Sequence, residues 1–81
     1  MVYILESDTD GSFYIGHTAH LAERLRRHNE GRSQYTRAKV PWSLVHKEEY
    51  LTRSEAMKRE QELKNKKNRD YIKHLVRASR M

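Results

Sequence analysis

No cysteine occurs anywhere in these 81 residues, and charged side chains are almost as frequent as apolar ones, at 35% against 36%. A chain of this size buries only about 60% of the surface its unfolded form exposes. Without disulfides, folding depends on concentrating few apolar residues on a small number of faces around one small core. A single domain over residues 1–81 is therefore expected. The lack of thiols also excludes thiolate metal sites. No apolar stretch approaches the ~20 residues needed to span a bilayer, which predicts no membrane partner. Met1 leads directly into a β-type run, without the basic and long apolar regions of a signal peptide, so a cytoplasmic location is the expectation.

Val2 to Glu6 and Ser12 to Gly16 are rich in Val, Ile, Tyr and Phe, and Ser7-Asp8-Thr9-Asp10-Gly11 between them is turn chemistry. The pattern predicts a β-hairpin. Any register whose paired residue numbers sum to an odd value puts Tyr3 and Tyr14 on one face. A two-residue loop at Asp8-Thr9 makes them directly opposite, and a four-residue loop makes them diagonal neighbours. Both registers remain open at this level.

Thr18 has N-cap chemistry for a helix running to about Glu30, with Gly31 placed to end it. At about 100° per residue, Leu21, Leu25 and His28 fall within about 60° of one another, with Arg24 about 40° beyond His28. A basic pair thus edges an apolar stripe. Residues 32–41 read as a loop closed by Pro41 and leading into a third strand, Trp42 to Tyr50, anchored by Trp42, Leu44 and Val45. Thr52-Arg53-Ser54-Glu55 matches a capping box that opens a second helix through about Asn65. A third helix, roughly Arg69 to Ala78 with Tyr71, Ile72, Leu75 and Val76 apolar, follows. The element order is β-β-α-β-α-α, an α+β arrangement.

One residue breaks the pattern of the second helix. Ala56, Glu60 and Leu63 lie within about 60° on the wheel, so Glu60 sits in the stripe that should face the core. An unpaired carboxylate there costs several kcal/mol by order of magnitude. Either a structural ion pair satisfies Glu60 or it serves a cation.

Seventeen Lys and Arg against eleven Asp and Glu give a net charge of +6. The excess is C-terminal: residues 41–81 hold eleven basic and six acidic side chains, against six and five in residues 1–40. The run Lys64, Lys66, Lys67, Arg69, Lys73, Arg77 and Arg80 is interrupted only by Asp70 among acidic residues. Such a cluster is either a solvated helical face or a counterion-releasing nucleic-acid surface.

Phosphodiester hydrolysis needs a base for water, a cation for the developing charge and usually a metal at the phosphate oxygens. Mg²⁺ commonly uses one or two carboxylates and completes its octahedron with water and substrate, so Glu60 alone is sufficient as a protein ligand. Arg24 offers a planar fork for phosphate. A tyrosine, with an ordinary pKa of about 10, serves as base only where a neighbouring cation lowers the cost of a phenolate. His17 and His20 have ligand-like spacing, but no second pair accompanies them, and a structural zinc site is disfavoured. Trp42 and Tyr50 read as core anchors, whereas Tyr35, beside Thr36, Arg37 and Lys39, is the better aromatic for substrate contact.

The chain resembles the GIY-YIG nucleases, in their short stand-alone bacterial branch. The resemblance runs through Val2-Tyr3-Ile4-Leu5, Tyr14-Ile15-Gly16-His17-Thr18, Arg24-Leu25, His28-Asn29 and Gly31. It continues through Thr36, Pro41-Trp42, Leu44, Ser54-Glu55-Ala56, Arg59-Glu60 and Leu63-Lys64. It implies a small three-stranded antiparallel sheet flanked by helices, and cleavage of DNA dependent on a divalent metal, Mg²⁺ or Mn²⁺. It further implies Tyr3 as general base, Tyr14 lining the site, Arg24 at the scissile phosphate, His28 assisting the base and Glu60 as the metal ligand. The first word departs from the family in having Val2 where glycine is usual, and neither Asn65 nor Asn68 stands where the late family asparagine is expected.

The expectation is an endonuclease acting on DNA in repair or processing, against the alternative of a nucleic-acid-binding module that cleaves little. Substrate contacts are expected from His17, Tyr35, Arg37, Lys39, Lys64, Lys66 and Lys67. At a helix start, His17 reads chiefly as a polar flanking residue. Targeting would come from the 32–41 loop, the basic C-terminal helix, a homodimer or a protein partner. A third class, an assembly domain meeting an acidic partner, predicts no nucleic-acid binding at all.

Overall fold

The structure, a computed structural model, describes residues 1–66 and 69–79, with the side chain of Lys66 outside that description. Three antiparallel strands, β1 (Val2–Ser7), β2 (Phe13–His17) and β3 (Trp42–Glu48), lie in the order β2-β1-β3. Three α-helices accompany them: α1 (Leu21–Asn29), α2 (Arg53–Lys66) and α3 (Arg69–Ser79). The expected β-β-α-β-α-α order is the observed one.

As the central strand, β1 is buried on both faces, which explains its unbroken apolar run. Tyr3 and Leu5 point to one side, where they join Trp42 with Leu21 and Leu25 of α1. Val2 and Ile4 point to the other, where Ala56, Leu63, Ile72 and Val76 bring α2 and α3 against the sheet. The tyrosine register resolves to the four-residue loop: Tyr3 pairs with Gly16 and Leu5 with Tyr14, so the two phenols are diagonal neighbours on the α1 face.

Several expected boundaries move. Backbone pairing reaches past β2, with Thr18 donating its N–H to the Met1 carbonyl at 2.9 Å, and the N-cap of α1 is His20, not Thr18. Its hydroxyl instead accepts the His20 N–H at 3.0 Å, and α1 begins at Leu21. Gly31, at φ +76°, takes the left-handed conformation that ends the helix as expected. β3 stops at Glu48 because Glu48 pairs with Val2, the first residue of β1, leaving Glu49 and Tyr50 without a partner strand.

Leu44 is not a core anchor. A bulge pairs Leu5 with Leu44 and Ile4 with His46, which leaves Val45 to pack on the α2–α3 side while Leu44 is 37% exposed on the outer strand. The capping box forms in a variant way. Thr52 Oγ1 accepts the Glu55 N–H at 3.2 Å and donates to Glu55 Oε1 at 3.0 Å, so the glutamate reaches the hydroxyl rather than the backbone N–H.

Part of the basic C-terminal cluster is consumed by the fold. Arg69 stacks over the Phe13 ring at 5.3 Å and donates to the Gly11 carbonyl, tying α3 to the hairpin turn. Lys73 and Arg77 remain exposed, whereas Lys67 and Arg80 lie outside the described residues. A second polar network anchors β3 to the helices. Glu48 accepts from Arg59 Nε at 2.8 Å and from the Tyr50 hydroxyl at 2.7 Å, and it pairs with His46 Nε2 at 2.8 Å. The opposite ring nitrogen of His46 meets the Ser79 hydroxyl.

Candidate active site

The candidate residues lie at the open end of the hairpin, with Tyr3, Tyr14, Arg24 and His28 on the α1 face of the sheet and Glu60 on the α2 face. Tyr3 is buried on β1, and its ring lies directly across Gly16 of β2. A Cβ at position 16 would stand 2.7 Å from the Tyr3 Oη and 2.8 Å from its Cζ, so only glycine admits the phenol here. Tyr14 flanks the same space, its ring centroid 6.2 Å from that of Tyr3.

From α1, His28 completes the aromatic cluster, 4.8 Å from the Tyr14 centroid. It is 2% exposed, because its place on the Leu21–Leu25 stripe carries it under the sheet. Both ring nitrogens are engaged: Nε2 lies 3.2 Å from the Tyr3 Oη, and Nδ1 lies 2.8 Å from Thr36 Oγ1. Thr36 is itself 1% exposed, and its carbonyl accepts the Trp42 indole N–H at 2.9 Å. Asn29 clamps the Trp42 backbone, accepting its N–H and donating to its carbonyl. The 32–41 segment is thus partly a support for His28. Neither Thr36 nor Asn29 announces this role in the sequence, since each bonds a residue of a different element.

Arg24 stands one turn before His28 and lines, with Tyr14, Arg27 and His28, a cleft of about 130 Å³. Burial lowers the His28 pKa, and the charges of Arg24 and Arg27 lower it further, so the imidazole is neutral at neutral pH. The Tyr3 phenol moves in the other direction. Burial raises its pKa well above the ordinary value of 10, Tyr14 adds to the rise, and the lowering effect of Arg24 does not offset them. The expected cation assistance is therefore present but insufficient to ionise Tyr3 in this arrangement.

Glu60 approaches from the α2 side. Its neighbours on the helix stripe, Ala56 and Leu63, are buried as expected, while the Glu60 side chain is 17% exposed. Its two oxygens have separate partners: His17 Nδ1 at 2.6 Å from Oε1 and Lys64 Nζ at 2.9 Å from Oε2. Burial would raise the Glu60 pKa, but the bonds to Lys64 and His17 outweigh it and hold the group below the ordinary carboxylate value. The Glu60 charge also contributes, after burial and Tyr14, to the raised pKa of Tyr3.

His17 is not a helix-start residue. It ends β2 opposite Val2, on the α2 side of the sheet, and is bonded to Glu60. The one sequence clue was its position immediately after Gly16, which puts it on the opposite face from Tyr3's neighbour. The other expected substrate contacts divide. Tyr35 is 88% exposed and Arg37 is exposed, whereas Lys39 is paired with Asp10 at 3.2 Å and Lys64 with Glu60. The Lys66 side chain and Lys67 lie outside the described residues. Asn65 accepts from the Gln61 amide on the exposed helix surface, and Asn68 is outside the description.

Among the described residues, no group of three or more His, Cys, Asp or Glu side chains is gathered for a metal ion. The donor set nevertheless suits a hard divalent cation that takes one carboxylate and fills its remaining positions with oxygen from water and substrate. The Lys64 ammonium already places a cation on Glu60 Oε2, and Lys64 is half-exposed and able to withdraw. No described helix is long and apolar enough to cross a membrane.

The GIY-YIG catalytic domain family matches residues 1–73. A UPF0213 protein of Bacillus velezensis is 44% identical over 73 residues, covering 85% of this chain and 74% of that protein. A UPF0213 protein of Streptococcus pneumoniae serotype 4 is 43% identical over 67 residues, or 82% of this chain and 67% of its own length. A UPF0213 protein of Haloquadratum walsbyi is 46% identical over 65 residues, covering 79% of this chain and 72% of that protein. No solved structure matches.

Proposed function

The chain belongs to the GIY-YIG nuclease superfamily, and from that membership we propose that it is a divalent-metal-dependent endonuclease hydrolysing DNA phosphodiester bonds. The observation that supports this reading is the grouping of Tyr3, Tyr14, Arg24 and a neutral His28 beside Gly16 on the α1 face, with Glu60 bonded to His17, the next residue of β2, on the α2 face. A scissile phosphate in the Arg24 cleft would meet that guanidinium, whose planar fork stabilises charge developing on the phosphoryl oxygens.

Proton movement follows from the hydrogen bonds. With Nδ1–H directed to Thr36 Oγ1, His28 accepts the Tyr3 O–H at Nε2. Because Tyr3 is neutral at rest, it acts by relay: its oxygen takes a proton from the attacking water while its own proton passes to His28. The resulting imidazolium is disfavoured by Arg24 and Arg27, and a bound phosphate offsets those two charges at the moment the relay needs it. The P–O bond to the leaving oxygen breaks as the water oxygen bonds to phosphorus; the leaving oxygen takes a proton from solvent, and His28 releases the proton it received to solvent. Glu60 would hold a Mg²⁺ or Mn²⁺ ion, which supplies Lewis-acid stabilisation of the phosphoryl oxygens when bound.

The test is incubation of the purified protein with labelled single-stranded, duplex and flap DNA in Mg²⁺, Mn²⁺ or EDTA, beside Glu60→Gln and Tyr3→Phe. Cleavage in metal that is lost in EDTA and in Glu60→Gln is expected. Undiminished cleavage by Glu60→Gln removes the metal assignment, and binding without cleavage of any substrate by the wild type identifies a binding module instead.

A further inference from the structure

A second groove, of about 390 Å³, adjoins the site between the end of β2, the first turn of α1 and the turn that connects β3 to α2. Its walls include His17, His20, Arg24, Leu51, Thr52 and Arg53. We propose that this groove holds the phosphate next to the scissile one on the same strand, with Arg53 as its principal contact. The proposal rests on the nuclease reading for the location of the scissile phosphate.

The first argument is continuity. Arg24 lines both this groove and the smaller cleft of Tyr14 and His28, so one side chain borders both spaces. A strand whose phosphate sits in the cleft is led past Arg24 into the groove. His17 marks the same junction from the other direction, since it lines the groove and is bonded to Glu60.

The second argument is charge. Among the described residues, no aspartate or glutamate lines the groove. The carboxylates bonded to its lining residues are already engaged, Glu60 by His17 and Lys64, Glu55 by the Thr52 hydroxyl, and Glu48 by Tyr50, Arg59 and His46. Among the described residues, neither Arg24 nor Arg53 takes part in a salt bridge. Two unneutralised guanidiniums in one concave wall suit an anion that brings its own acceptor oxygens.

The third argument is the rim. Leu51 is 99% exposed beside Arg53, a large aliphatic side chain that packs on nothing among the described residues. A lone exposed leucine is ordinary on a protein surface. Beside a cationic groove it offers an apolar contact for the sugar or base attached to the held phosphate, as inserted aliphatic side chains do in other nucleic-acid complexes. A free phosphate would use the arginines and ignore Leu51, so the pair specifies a nucleotide within a strand.

The test measures fluorescence-anisotropy binding of a short labelled DNA in EDTA across a salt series, using wild type, Arg53→Ala, Arg53→Lys and Lys58→Ala. Lys58 is an exposed α2 cation that lines neither space, and it controls for loss of one charge. Arg53→Ala is expected to weaken binding roughly three- to tenfold and to reduce the slope of log K against log salt by about one, with Arg53→Lys restoring the slope. An oligonucleotide set carrying one uncharged methylphosphonate at each linkage in turn then locates the contact. Wild type should show a penalty at the linkage beside the cut one that Arg53→Ala lacks. A wild-type salt slope in Arg53→Ala, or a loss equalled by Lys58→Ala, overturns the proposal. Cleavage by wild type in metal with an unaltered Arg53→Ala slope rejects the groove and retains the nuclease. A reduced slope without cleavage by wild type rejects the nuclease and retains the groove as a phosphate contact.

Discussion

His17 Nδ1 lies 2.6 Å from Glu60 Oε1, joining the last residue of β2 to the carboxylate in the middle of α2. Lys64 occupies the other carboxylate oxygen from one turn further along the helix. A metal ion arriving at Glu60 would displace the ammonium, since Lys64 is the more exposed partner.

Lys64→Ala should therefore tighten divalent-metal binding. An exposed ion pair of this kind contributes up to about 1 kcal/mol, so a roughly fivefold lower Kd for Mn²⁺ is the expected limit. Isothermal titration calorimetry with MnCl₂ measures it directly. Weaker binding by the variant would show that Lys64 helps to assemble the ion site rather than compete for it.

Gly16→Ala should damage the site more than the fold. The added methyl would stand 2.7 Å from the Tyr3 Oη, which forces the phenol away from His28 Nε2. Overpacking of this kind costs about 1–3 kcal/mol of stability, readable by urea denaturation. A displacement near 1 Å reduces cleavage by on the order of 100-fold. A variant with wild-type cleavage would mean that the position of the Tyr3 ring is immaterial to the reaction.

Thr36→Val keeps the volume of the side chain and removes the hydroxyl that meets His28 Nδ1. Leaving that nitrogen unpaired in a buried position costs about 1–3 kcal/mol, and Thr36→Ser should recover most of it. The ¹⁵N shifts of the His28 ring report the accompanying change in tautomer. Unchanged shifts in Thr36→Val would show that Thr36 does not set the imidazole's orientation.

Acid destabilisation should arrive in two windows. Folding lowers the His28 pKa from its ordinary 6.5, chiefly through burial, so the unfolded chain binds the proton more readily. The stability from a neutral His28 is complete above pH 6.5 and is lost as pH falls through the lower folded value. At Glu48, burial opposes ionisation, but hydrogen bonds from Arg59, His46 and Tyr50 outweigh it and lower the pKa from 4.5 to about 2. Its contribution is present above pH 4.5 and is lost between there and about 2. Urea titrations across this range should show that Glu48→Gln lowers stability at neutral pH and flattens the second window while preserving the first. A second window of wild-type steepness in Glu48→Gln would assign it to other carboxylates.

The local patterns carried most of the architecture. The turn residues between two β-favoured runs, the apolar stripe of α1, the Thr52–Glu55 cap and the placement of Glu60 between Ala56 and Leu63 are all short-range features. Periodicity and side-chain chemistry decide them before any long-range contact forms. Where sequence reasoning failed, a distant partner had intervened. Thr18 is bonded to Met1, β3 ends where β1 begins, and the bulge against Ile4 and Leu5 exposes Leu44 in favour of Val45.

The candidate site divides in the same way. Residue types and spacing, together with the family resemblance, single out Tyr3, Tyr14, Arg24, His28 and Glu60 as candidates. They did not show that Thr36 orients His28, that His17 meets Glu60 across 43 positions, or that burial keeps Tyr3 protonated. Those properties depend on desolvation and on which polar atoms face one another. Both are set by strand register and helix docking, so only the tertiary structure decides them.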